Sequence, residues 1–90
     1  VIYEVEWDDD ASRDIMEASA MLSPSEQQTV VSATILIDEL LRENPLGIGE
    51  SRDSSHKRVL FESPVVIEYH VNSRTGLVRV VAAQCTIRKG

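Results

Sequence analysis

Four residues, Ser23-Pro24-Ser25-Glu26, constrain this chain more than any others. Serine at the N-cap, proline at the first helical position and glutamate at the third make a capping box, and the proline sits where its missing N–H does no harm. A helix therefore starts at Pro24. Val30, Ala33, Ile37, Leu40 and Leu41 give it an apolar stripe at helical spacing, widened by Val31, Ile35 and Leu36. It ends near Glu43, because Pro45 disfavours helical backbone at Asn44. Upstream, Ala11, Ile15, Ala18 and Leu22 recur at helical spacing. They follow Asp8, Asp9 and Asp10, which supply an N-cap and acids for the positive end of a helix. Two helices joined this tightly form a helical hairpin.

On either side of the hairpin the period changes to two. Tyr3, Val5 and Trp7 alternate with Glu4 and Glu6, which reads as a strand. Residues 57–61, 65–71 and 77–85 read as three more, separated by turn-rich stretches at 62–64 and 72–76. Residues 50–56 are polar and fit either an edge segment or a loop. The order β-α-α-β-β-β predicts an α+β fold in which an antiparallel sheet packs on an N-terminal helical hairpin. Ninety residues suit a single domain, 1–90, with one two-layer core.

Charge is divided unevenly. Net charge is −6, but residues 1–50 hold twelve acids and two bases, while residues 51–90 hold three acids and seven bases. The second half is the one equipped to meet an anion. The longest stretch free of charge and proline, 27–37, is too short and too polar to cross a bilayer, and no basic segment leads into an apolar one. No membrane partner is expected. The lone Cys85 permits no internal disulfide, which fits a reducing cytoplasm, and it reads as a buried strand residue rather than a nucleophile.

Patterning also suggests strand registers. Pairing Val65 with Ala82, Ile67 with Val80 and Tyr69 with Val78 puts all six on the helix-packed face and leaves 72–75 as a loop. Pairing Val59 with Ile67 and Phe61 with Val65 does the same and leaves 62–64. The opposite face would then carry the rows His56–His70–Leu77, Arg58–Glu68–Arg79 and Leu60–Val66–Val81, on strands about 4.8 Å apart. Arginine matches phosphate in bidentate hydrogen bonds, and histidine moves protons near neutrality. RNA cleavage through its own 2′-hydroxyl needs a base, a charge on the phosphate and an acid for the leaving oxygen. Arg58 and Arg79 are candidates for the charge, and His56 and His70 for the proton transfers. The plain alternatives are a cross-strand ion-pair row through Glu68 and two surface histidines. Neither metal-ligand spacing nor a phosphate-cradling glycine loop is present, so no metal or cofactor is expected.

The strand ending in an aromatic, the hairpin closing on Asn44-Pro45-Leu46, and the segments Arg58-Val-Leu-Phe-Glu-Ser-Pro-Val-Val-Ile-Glu-Tyr-His-Val71 and Val78-Arg-Val-Val-Ala-Ala83 resemble the RelE/ParE superfamily of bacterial toxin–antitoxin toxins. The resemblance covers nearly the whole chain. It implies the toxin component of a type II system. RelE-like members cut messenger RNA on the ribosome without a metal, ParE-like members inhibit DNA gyrase, and both are silenced by a cognate antitoxin that wraps them. By position, Arg58 falls on the family's arginine at the start of the second sheet strand and Arg79 near the basic residue of the last. Lys57 would flank as a phosphate contact, and Arg88 and Lys89 would extend the nucleic-acid contacts. RelE-like nucleases usually carry a His or Tyr after the last strand. Here that end is Cys85-Thr-Ile-Arg-Lys-Gly90, and together with the acidic net charge it keeps the ParE-like alternative and an inactive binding domain open.

Overall fold

A computed structural model describes residues 2–87. Strand β1 (Glu4–Trp7) leads into helices α1 (Asp9–Ala20) and α2 (Pro24–Glu43), followed by β2 (Glu50–Arg52), β3 (Ser54–Glu62), β4 (Val65–Asn72) and β5 (Leu77–Cys85). The five strands form one sheet in the order β1-β5-β4-β3-β2. It is antiparallel from β2 to β5, as the sequence suggests, whereas β1 joins the far edge parallel to β5 and makes the sheet mixed. The polar stretch at 50–56 supplies the edge strand β2 and the start of β3.

Helix α2 begins and ends where the sequence places it. The Ser23 side chain accepts from the Glu26 N–H while the Glu26 carboxylate accepts from the Ser23 N–H, and Asn44 is the C-cap. Its inward face is the narrow stripe Val30, Ala33, Ile37 and Leu41; Val31, Ile35 and Leu36 do not widen it but stay exposed. Asp8 stands at the N-cap of α1 without a side-chain capping bond. The helices cover one face of the sheet. There Ala11, Ile15, Ile37 and Leu41 meet Val65, Ile67, Tyr69, Val78 and Val80 in a single core, with Tyr3, Val5 and Trp7 packed at its margin.

Turn lengths set the registers, and they differ from the expected ones. Between β3 and β4 the pair Glu62–Val65 closes directly, so the turn is two residues rather than three. The Pro64 carbonyl is held by the Thr86 N–H at 2.7 Å, tying this turn to the end of β5. One residue fewer turns β3 over: Leu60 pairs with Ile67 and Arg58 with Tyr69 on the helix side, while Val59 and Phe61 face away. Phe61 is accordingly 60% exposed. Between β4 and β5 the turn is four residues long but placed one position later, closing on Asn72–Leu77. The Asn72 side chain accepts from the N–H groups of Arg74 and Thr75, and Gly76 takes a left-handed φ of 71° that suits glycine. Tyr69 therefore pairs with Val80, and Val65 with Cys85. A bulge beside Glu68 and Tyr69 brings Ala83, not Ala82, into the core.

Candidate functional site

The reversal of β3 separates the two arginines. Arg58 lies on the helix side beside Tyr69, and Arg79 on the open side opposite His70. The expected row Arg58–Glu68–Arg79 therefore does not form, and none of the ion pairs among the described residues includes Glu68. Nor does Val81 join Leu60 and Val66 in a row. Val66 instead lies between Phe61 and Gln84.

Arg58 is locked to the backbone. Its Nε donates to the Ile48 carbonyl at 2.9 Å, and its two Nη atoms donate to Ser55 at 3.0 Å and Gly49 at 3.2 Å. Beneath it the fully buried Tyr69 donates between the carbonyls of Pro45 and Ile48, at 2.7 and 2.9 Å. Burial pushes the Tyr69 hydroxyl above its ordinary pKa, and the neighbouring Arg58 partly offsets this. Gly49 completes the clamp with a φ of 70°; a Cβ there would lie 2.6 Å from the Val59 carbonyl oxygen. Together these groups pin the segment leaving α2 onto β3 and β4.

The open side carries the titratable groups. Register places Lys57, His70, Arg79 and Glu6 in one line across β3, β4, β5 and β1. Directly opposed residues in such a line lie about 4.5–5.5 Å apart at Cα in the antiparallel part. The His70 imidazole makes no hydrogen bond to the described residues, and Lys57 has no carboxylate partner among them. Next to this line a depression of about 470 Å³ is bordered by His56, His70, Ser73, Arg74, Leu77 and Arg79. The expected row His56–His70–Leu77 does not form, because His70 stands between Lys57 and Arg79 and Leu77 pairs with Asn72, although all three border this concavity. His56 spans the gap between β3 and the following turn: Nδ1 lies 3.1 Å from the Ser55 hydroxyl and Nε2 3.2 Å from that of Ser73.

Arg79 is the paired member of the line. Its Nε donates to Asp8 Oδ1 at 2.7 Å and its Nη2 to Asp8 Oδ2 at 3.4 Å. The hydrogen bond and charge of Asp8, and more weakly the charge of Glu6, hold its pKa above the ordinary arginine value. Sequence patterning gave no sign of this contact, since residues 8 and 79 are distant in the chain and Asp8 reads as a helix cap. Arg74 and Ser73 were likewise hidden inside a turn. Lys57, expected as a flanking phosphate contact, stands at the β3 end of the line, opposite His70. Arg88 and Lys89 lie outside the described residues. Among the described residues, no group of three or more His, Cys, Asp and Glu is placed to hold a metal ion, and no helix is long and apolar enough to cross a membrane. The line offers two cations and one imidazole on the open face, and His56, which shares the parity of Arg58 along β3, reaches the adjoining depression through Ser73. Cations and imidazoles so placed suit a phosphodiester.

No protein-family model and no curated protein matches the sequence. Solved structures do. A chain of the RelBE2 toxin–antitoxin complex of Mycobacterium tuberculosis aligns with a TM-score of 0.68 and 19% identity, over 94% of this chain and 99% of that one. A chain of the chromosomal ParDE system of P. aeruginosa aligns at 0.72 and 13% identity, over 96% and 98%. The isolated E. coli RelE toxin aligns at 0.59 and 15% identity, over 97% and 87%. Helical hairpin, sheet order and near-complete mutual coverage agree: this chain has the fold of the RelE and ParE toxins.

Proposed function

We propose that this chain is the toxin component of a type II toxin–antitoxin pair, and that its open sheet face cleaves messenger RNA on the ribosome without a metal. The observation that supports this reading is the line Lys57–His70–Arg79, with His56 at the edge of the same depression. Lys57 and Arg79, with Arg74 from the neighbouring turn, supply charge to the scissile phosphate. His70, lying between two of these cations, takes the proton of the 2′-hydroxyl as that oxygen attacks phosphorus. His56 protonates the 5′-oxygen as its bond to phosphorus breaks, leaving a cyclic phosphate and a free 5′-hydroxyl. Arg58 acts from the other side of the sheet as a positioning residue, by holding the segment through which α2 reaches β3. Arg88 and Lys89 add contacts to flanking phosphates. Messages and ribosomes place this activity in the cytoplasm.

The helical side supplies the reason for an antitoxin partner. A groove of about 470 Å³ at the hairpin is lined by Trp7, Ile15, Met16 and Ile35, with Asp38 and Glu39 on its rim. Met16 is 69% exposed and Ile35 55%. Apolar surface bordered by acids suits an apolar protein segment with basic flanks.

Two observations favour a second reading. Glu6 and Asp8 adjoin Arg79 on the open side, and a net charge of −6 opposes RNA approach. A ParE-like inhibitor of gyrase meets a protein instead and does not need a cationic surface. Induced expression followed by growth measurement and transcript-end mapping separates the two. RNA cleavage predicts arrest with cut messages, relieved by His70→Gln and by Arg79→Ala. Arrest with intact messages and failing supercoiling by purified gyrase overturns it in favour of the second. A chain that causes neither is an inactive binding domain.

A further inference from the structure

The open sheet face holds a competitor for its own ligand. Asp8 immediately precedes α1, where a carboxylate ordinarily accepts from the N–H groups of the first turn. Its side chain makes no such bond. Both oxygens face Arg79 instead. The Asp8 backbone is fixed: its N–H donates to the Val80 carbonyl at 2.9 Å, and its carbonyl accepts from the Ser12 N–H at 3.0 Å. Only the side chain can turn. It has two favourable destinations, the guanidinium of Arg79 and the unsatisfied first-turn N–H groups of α1.

We infer that Asp8 is an internal phosphate mimic: its carboxylate occupies the Arg79 fork that a phosphodiester would take, and an incoming phosphate displaces it onto the start of α1. The inference rests on the sheet face being a phosphate site, but it does not require that RNA be cut there. Carboxylate and phosphate offer a guanidinium the same pair of acceptor oxygens, so the two exclude one another on one fork. The exchange is easy on both sides. The ion pair is open to water, with side-chain exposures of 58% for Arg79 and 27% for Asp8, and is therefore weakly held. The displaced carboxylate gains a capping bond and a favourable position at the positive end of α1.

The test uses the full chain and a fluorescent 2′-O-methyl oligoribonucleotide, which cannot be cut through the 2′-oxygen, with affinity read by anisotropy at low salt. Asp8→Asn keeps an oxygen for capping and removes the competing charge, and it should bind about threefold more tightly than the unaltered protein. Asp9→Asn, the same charge change one residue along, should gain less. In an Arg79→Gln background, Asp8→Asn should add nothing. Equal gains from the two asparagine variants would reduce the effect to bulk charge. A gain that survives loss of Arg79, or no binding by any of the proteins, overturns the inference. Uncut messages in cells alongside an intact Asp8→Asn gain would instead reject RNA cleavage and leave the exchange standing.

Discussion

Arg58 and Arg79 look equivalent in sequence, each a strand arginine followed directly by valine, yet the molecule uses them in opposite ways. Arg58 faces the helical layer and spends its N–H groups on three main-chain carbonyls. Arg79 faces solvent and is held by one carboxylate side chain. Carbonyls of a pinned segment cannot leave, whereas a carboxylate on a rotatable bond can. The first arginine is therefore fixed in place, and the second has a partner that can exchange. A sheet covered on one face only sorts identical residues this way, because parity along the strand decides which side each one meets.

The sharpest way to break this contrast is to remove Arg58. Arg58→Ala deletes three charge-assisted hydrogen bonds and leaves Tyr69 to hold the segment after α2, at a cost of about 2–3 kcal/mol. For a chain of this size that is a fall of about 10 °C or more in Tm, measurable by calorimetry. A stable Arg58→Ala protein that has lost activity would instead place Arg58 in the site itself. Tyr69→Phe tests the floor of the same clamp. It removes the donor shared by the Pro45 and Ile48 carbonyls while keeping the buried ring, and should cost about 1–2 kcal/mol in chemical unfolding.

Tyr69 also gives the clamp a pH signature. Burial raises its pKa in the folded state, so the unfolded chain loses this proton first as pH rises. Its contribution is fully present below the ordinary tyrosine value of about 10 and declines as pH climbs from there towards the raised folded-state pKa. Unfolding free energies of wild type and Tyr69→Phe should therefore converge above about pH 10. A constant gap across that range would mean that the hydroxyl is not desolvated.

The two faces were not equally legible in the sequence. Helix α2 was, end to end, because a capping box and Asn44-Pro45 are local signals that need no partner. The hairpin, the three long strands and all of the α2 stripe but the half-buried Leu40 and its exposed flank followed from periodicity. Register did not, because 58–61 carries apolar residues of both parities: Leu60 and the pair Val59 and Phe61 fit the core equally well as a pattern. A choice between two- and three-residue turns at Ser63 and Pro64 decided the matter, and with it the side on which Arg58 lies. Arg79 kept its expected side because the neighbouring register moved by two positions near it, which preserves parity. His70 did too. Asp8 is the opposite case, a residue whose local signal for capping is overridden by a tertiary partner 71 positions away.

The smallest expected effect is also the most telling about that partner. Arg79→Ala removes an exposed ion pair from the open face of the sheet, and water already screens such a pair. It also releases Asp8, whose carboxylate can then accept from the first-turn N–H groups of α1 that it leaves unsatisfied in the intact protein. Loss and gain oppose each other, so the urea midpoint of Arg79→Ala should coincide with that of wild type within error. In the double variant Asp8→Ala, Arg79→Ala the compensating cap is gone, and the midpoint should fall below that of Arg79→Ala alone. If Arg79→Ala destabilises the chain as much as Arg58→Ala does, the two arginines are both architectural and Arg79 is not an exchangeable cation of the open face.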